Sequence, residues 1–138
     1  GIILSQWTAY HLGLKMGKPI LSVYAEKKDN ELKLTRGYDA LVKGKNVVVV
    51  EDLTTTGGSL KQAIAAVQAA GGNVVAAAVM VNKNPTQVTS DFFGVPFFAL
   101  TELPVELYTV EACPLCKSGV PINTTIGHGQ KFLDSKKQ

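Results

Sequence analysis

Two adjacent carboxylates, Glu51 and Asp52, are followed by Leu53-Thr54-Thr55-Thr56 and then by Gly57-Gly58-Ser59. The two ends of this run ask for different chemistry. Gly57 and Gly58 can take backbone angles closed to other residues, so successive N–H groups can converge on one anion. A helix starting at that point would add its own free donors and positive dipole end, which suits a phosphate. Glu51 and Asp52 would repel a phosphate that touched them. They suit sugar hydroxyls, from which carboxylates accept hydrogen bonds, or a Mg2+ ion. A ligand with a phosphate at one end and a ribose diol beside it satisfies both halves. On this reading, a side chain at Gly57 or Gly58 is expected to remove binding while leaving the fold intact.

The flanking residues predict the elements that would hold this run. Val47 to Val50 has no polar alternation, which predicts a strand buried on both faces, as in parallel sheets. After Ser59, Leu60, Ile64 and Val67 recur at helical spacing with alanines between them, and Gly71-Gly72 is a stop signal. The order is strand, turn, helix, with the polar residues at the turn, where open α/β sheets place ligands. The Gly-Lys-Ser/Thr ending of a phosphate-binding P-loop and the Gly-x-Gly-x-x-Gly of dinucleotide folds are both missing from the run. A plain strand-to-helix turn with two solvated acids is the bland alternative, but it needs neither both acids nor the full Thr/Gly/Ser run.

From Val47 to Ser59 the chain resembles the phosphoribosyl pyrophosphate (PRPP) motif of type I phosphoribosyltransferases: a hydrophobic strand, two acids, two variable residues, then threonines, Gly-Gly and Ser. The resemblance implies that Glu51, Asp52, Leu53, Thr54, Thr55, Thr56, Gly57, Gly58 and Ser59 bind PRPP. It implies an α/β domain over residues 1–122, with a mainly parallel sheet flanked by helices and lacking its usual first strand. Residues 123–138 follow as a tail. The implied reaction transfers the 5-phosphoribosyl group of PRPP to a ring nitrogen of a nucleobase and releases pyrophosphate, with Mg2+ on the diphosphate. Breaking the anomeric bond builds positive charge on the ribose, and carboxylates near its hydroxyls favour that state. No nucleophile is required, and no Ser/His/Asp or Cys/His set stands out. Within the family the resemblance is to orotate phosphoribosyltransferases of pyrimidine nucleotide synthesis, which make orotidine 5′-monophosphate. A purine transferase, or a non-catalytic regulator sensing PRPP or a nucleotide, would keep the same motif.

Around this centre, Gly1 to Gly13 reads as a helix, with Trp7 as a core anchor and His11 partly buried or at the surface. Ile20 to Tyr24 reads as a short strand. The charged stretch from Glu26 to Tyr38 would by itself be a solvated hairpin or loop. Orotate enzymes carry there a mobile loop whose Lys and Arg reach the pyrophosphate, so the resemblance gives Lys27, Lys28 and Arg36 a catalytic role. Asp39 to Lys43 makes a helical turn. Val74 to Val81 is a second buried strand beside the first, joined to it by a right-handed crossover. Asn82-Lys83 follows where orotate enzymes commonly have Asp-Arg, with the Arg on the base's carboxylate. The resemblance therefore puts Lys83, with Thr55, at the base. Phe97 to Leu100 is a further strand, and Phe92, Phe93, Phe97 and Phe98 pack the core beside the small Ala76 to Ala78.

The segment Cys113-Pro114-Leu115-Cys116, continuing to Gly119 and Pro121, is similar to one that closes some bacterial and archaeal orotate-type enzymes. Cys-x-x-Cys supplies half of a zinc site, with His128 as a third ligand or a second subunit supplying the other pair. Reduced structural thiols are the alternative. In the family a strand and a pyrophosphate-binding turn precede the first helix. Without them the chain is expected to expose a strand edge and the apolar face of the Trp7 helix. Self-association or membership of a longer protein would follow, with catalysis impaired. A homodimer is the implied assembly.

At 138 residues, with 46% hydrophobic and 18% charged residues, one globular domain is expected. The net charge of +3 is too small, and too concentrated at Lys131, Lys136 and Lys137, to suggest nucleic acid. Val74 to Val81, the longest apolar run, is too short to span a bilayer, so no membrane partner is expected. Two cysteines make no secreted disulfide framework, and a reducing cytoplasm is the expected compartment.

Overall fold

The computed structural model describes residues 1–29 and 31–136. Two compact units divide it, residues 1–105 and 106–138. In the first, helix α1 (Ile2–Met16) ends at Gly17, whose φ of 65° lets its N–H return to the Gly13 and Leu14 carbonyls. Of its residues only Ala9 is buried. Trp7, expected as a core anchor, is 56% exposed; it stacks on His11 and meets Tyr10 edge-on. The spacing put these rings on one side of a helix, but the sheet's core is filled from elsewhere.

Ile20 to Tyr24 carries no regular secondary structure, contrary to the strand expected there. Pairing starts one residue later. β1 (Ala25–Lys28) runs antiparallel to β2 (Glu31–Leu34), so the charged stretch forms a hairpin. Along β2 the two leucines are half-buried and Glu31 and Lys33 exposed, and Leu34 packs against the main core. The short helix α2 (Tyr38–Val42) then leads to the central strand.

Among the described residues, β3 (Asn46–Thr54), β4 (Asn73–Asn82) and β5 (Phe97–Glu102) form a parallel sheet in that order, with β3 at one edge. Helix α3 (Gly58–Ala69) crosses from β3 to β4 and covers one face. Leu60, Ile64 and Val67 of that helix meet Val49, Val74, Ala77, Val79, Val88 and Phe93 in one core. Burying each large aliphatic side chain is worth about 1.5–3 kcal/mol, so this stripe is what fastens the helix to the sheet.

The opposite face is less covered than the valine run predicted. Register pairs Val48 with Ala76 and Ala78 with Phe98, so Val48, Met80, Phe98 and Leu100 share that face. Val48 is 40% and Leu100 83% exposed. An unbroken apolar run shows that neither face was made polar; it does not supply the element that covers the second one. Phe98, expected in the core, is exposed for the same reason, whereas Phe93 is buried, packed against α3's side of the sheet. Helix α4 (Ser90–Phe93), capped by the Thr89 hydroxyl, precedes β5.

The second unit contains α5 (Pro114–Lys117) and α6 (Gly129–Ser135), neither with a buried residue. Among the described residues no helix is long and apolar enough to cross a membrane.

Candidate functional site

Strand β3 runs further than the valines, through Thr54, so the two acids lie within its last turn of pleat and not beyond it. Successive residues there point to opposite faces. Glu51 is half-buried, and its Oε1 lies 3.1 Å from the Gly1 nitrogen and accepts from the Asp52 N–H at 3.1 Å. Asp52 is exposed, with Oδ1 accepting from the Leu53 N–H at 2.8 Å. A hydrogen bond shared with the Glu51 carboxyl, and then the Leu53 amide, hold the Asp52 carboxyl below the usual carboxylate range. It is therefore an anion at neutral pH, suited to hydroxyl donors.

The turn after β3 is built by two glycines doing different work. Gly57 is the N-cap of α3 at φ 78°, in the left-handed region. A Cβ there would run into the Phe92 ring, so both the backbone angle and the neighbour demand glycine. This corrects the expectation that a side chain at either glycine leaves the fold intact. At Gly58 a Cβ would, among the described residues and beyond its own helix, meet just the Thr56 Oγ1 at 3.6 Å, which is ordinary contact. Gly58 and Ser59 are both exposed.

Free donors lie at the same turn. Lys61 is the first residue of α3 whose N–H finds a carbonyl, that of Gly57 at 2.9 Å. The amides of Gly58, Ser59 and Leu60 precede it and have no partner within the helix. Among the described residues no side chain caps this end and no acid sits in the first turn, so neither its donors nor its dipole is neutralised. Lys61 itself adds a cation, its Nζ lying 4.6 Å from the Phe92 ring centroid. The sequence reads Phe92 as core packing and gives Lys61 no role at the site. Their only signal was a lysine in the first turn of a helix that follows Gly-Gly.

The neighbouring strand end joins the same rim. The Lys83 N–H donates to the carbonyl of the buried Thr54 at 2.8 Å, so Thr55 and Lys83 leave adjacent strands side by side. Asn82, next to it, is 2% exposed and fully engaged: its Nδ2 donates to the Val88 carbonyl and its Oδ1 accepts from the Asn84 N–H. It braces the wall from which Lys83 emerges.

The hairpin cations are placed differently. Lys27 and Lys28 are exposed on β1. Arg36 is engaged with Glu26, Nη2 to Oε1 at 2.8 Å and Nε to both oxygens at 3.2 Å, while the Thr35 hydroxyl holds the same carboxylate. Its own φ of 58° bends the chain there. Cys113 is half-buried and Cys116 exposed. Among the described residues, no third His, Cys, Asp or Glu joins them in a group that could hold a metal.

The phosphoribosyl transferase domain family model matches residues 3–99. The orotate phosphoribosyltransferase of Caldanaerobacter subterraneus is 39% identical over 122 residues, 88% of this chain and 59% of that one. That of Thermotoga maritima is 39% identical over 132 residues, 95% of this chain and 65% of that one. This chain thus spans about three-fifths of the length of the curated relatives it matches. Among solved structures, orotate phosphoribosyltransferase of Mycobacterium tuberculosis in complex with PRPP aligns at a TM-score of 0.50 and 31% identity, covering 63% of this chain and 50% of that one. The Aeropyrum pernix orotate phosphoribosyltransferase aligns at 0.50 and 26%, covering 69% of this chain and 53% of that one.

Proposed function

This chain belongs to the phosphoribosyl transferase domain family, and on that premise we propose that it binds PRPP and serves transfer of the phosphoribosyl group to orotate. The observation that carries the reading is the division of labour around the β3–α3 turn. Unneutralised amides gather at Gly58, two carboxylates stand just before it, and Lys83 shares the rim.

In this reading the 5′-phosphate sits on the amides from Thr55 to Ser59, with the α3 dipole behind them. Glu51 and Asp52 accept hydrogen bonds from the ribose hydroxyls. As the bond to the diphosphate lengthens, positive charge grows on the ribose, and the ionised Asp52 stabilises that charge more than it stabilises the ground state. Orotate lies beside Thr55 with its carboxylate toward Lys83. Lys27, Lys28 and Arg36 would meet the diphosphate, which for Arg36 requires exchanging the Glu26 carboxylate for phosphate oxygens. The donor set fits a Mg2+ that arrives on substrate phosphates, since one or two carboxylates complete such a shell and no protein cage is needed. Glu51 and Asp52 would hold it, and when bound it neutralises charge on the leaving diphosphate. The transferase domain is taken as residues 1–122 with 123–138 as a tail, and the assembly as a homodimer.

Calorimetric titration of the full chain with PRPP, paired with pyrophosphate release across orotate and purine bases, tests the reading. Binding of PRPP with release dependent on orotate supports it. Release with purines alone makes the protein a purine transferase, and binding with no release for any base favours nucleotide sensing. Failure to bind PRPP removes the site assignment altogether.

A further inference from the structure

The cysteine pair belongs to the second unit, and neither thiol is a member of the buried core cluster. Cys113 and Cys116 sit one turn apart, with Pro114 at the first position of α5 fixing the backbone between them. The Cys116 N–H donates to the Cys113 Sγ at 3.5 Å. Neither thiol is fully buried: Cys113 is half-buried and Cys116 exposed. Among the described residues no third His, Cys, Asp or Glu groups with the pair.

We propose that Cys113 and Cys116 form a redox-active dithiol that exchanges with low-molecular-weight disulfides, Cys113 attacking and Cys116 resolving. The roles follow from the contacts. The Cys113 Sγ accepts the Cys116 N–H, and Lys117 closes the same short turn. An amide donor aimed at this sulfur favours its thiolate. The Cys113 thiolate attacks one sulfur of the external disulfide, forming a mixed disulfide and releasing the first thiolate. Cys116 then loses its proton to solvent and attacks the Cys113 sulfur. This closes the intramolecular disulfide and releases the second thiolate. The protein pair is oxidised by two electrons and the external disulfide is reduced to two thiols.

The test incubates the full chain with mixtures of oxidised and reduced glutathione, blocks free thiols and reads intact mass. The wild type should pass to a species lacking two hydrogens with little adduct. Cys116→Ser should trap a single glutathione adduct at Cys113, and Cys113→Ser should react about tenfold more slowly. Neither change touches a core residue. Equal rates for the two single variants overturn the assignment of roles. A wild type that carries stable adducts, or stays reduced where Cys116→Ser is fully modified, overturns the pair. So does tight retention of zinc that protects both thiols, because the turn would then be a metal clip.

Discussion

The turns that follow β3 and β4 lie side by side at the same end of the sheet and are put together in opposite ways. After β3, the chain passes from Thr55 to Gly58 with few side chains and leaves the first amides of α3 without partners. After β4, the polar groups largely bond to one another. Asn82 reaches Val88 and Asn84, Asn84 accepts from the Thr86 hydroxyl and donates to Gln87, and the Gln87 and Val88 amides return to the Asn84 carbonyl. One turn keeps its donors for a ligand and the other uses them on itself. The difference teaches that a rim needs both kinds. An open cradle selects an anion only if the wall beside it is rigid enough to hold a second contact, here Lys83, at a constant distance.

Substitutions that blur this contrast should have graded effects. Gly57→Val should be the most damaging, because a β-branched residue at positive φ driven into Phe92 costs roughly 2–4 kcal/mol of stability. Chemical denaturation should show the loss together with abolished PRPP binding. Gly58→Val meets only ordinary contact, so its melting temperature should barely move. Its PRPP affinity should fall roughly a hundredfold, the worth of one or two charge-assisted hydrogen bonds, in a calorimetric titration. If the two variants behave alike, the distinction between the two glycines is wrong.

Asn82→Ala attacks the closed turn instead. It leaves the Val88 carbonyl and Asn84 amide without their partner and should cost about 2 kcal/mol. Weakened orotate binding with unchanged inorganic phosphate binding would show that the wall, and not the cradle, has loosened. Asp52→Asn removes a carboxylate held in its ionised form and should weaken PRPP about tenfold. A comparable loss for inorganic phosphate would contradict the split between sugar and phosphate halves. Smallest is Lys83→Arg, whose paired donors suit a planar carboxylate and should improve orotate affinity about threefold. No gain in an equilibrium titration would mean that Lys83 does not face the base.

Residue types and spacing alone determined the strand, the turn and the helix from Val47 to Val67, and the chemistry of the run within them. Those features are local: a β-branched run, Gly-Gly and a helical stripe state their own preferences wherever the chain goes. The hairpin's charges were legible in the same way. What each residue meets was not. Glycine looks the same at 57 and 58, and only the approach of Phe92, far along the chain, makes one structural and leaves the other open. The pair Asn82-Lys83 reads as two polar neighbours until Val88 captures the first and the Thr54 carbonyl positions the second. Trp7 and Phe98 have core composition but lie on faces that no described element buries, and Arg36 has a phosphate-binding side chain already held by Glu26. Contacts between distant segments carry no periodicity for a sequence to display, so the tertiary structure alone decided which donors are free and which are already taken.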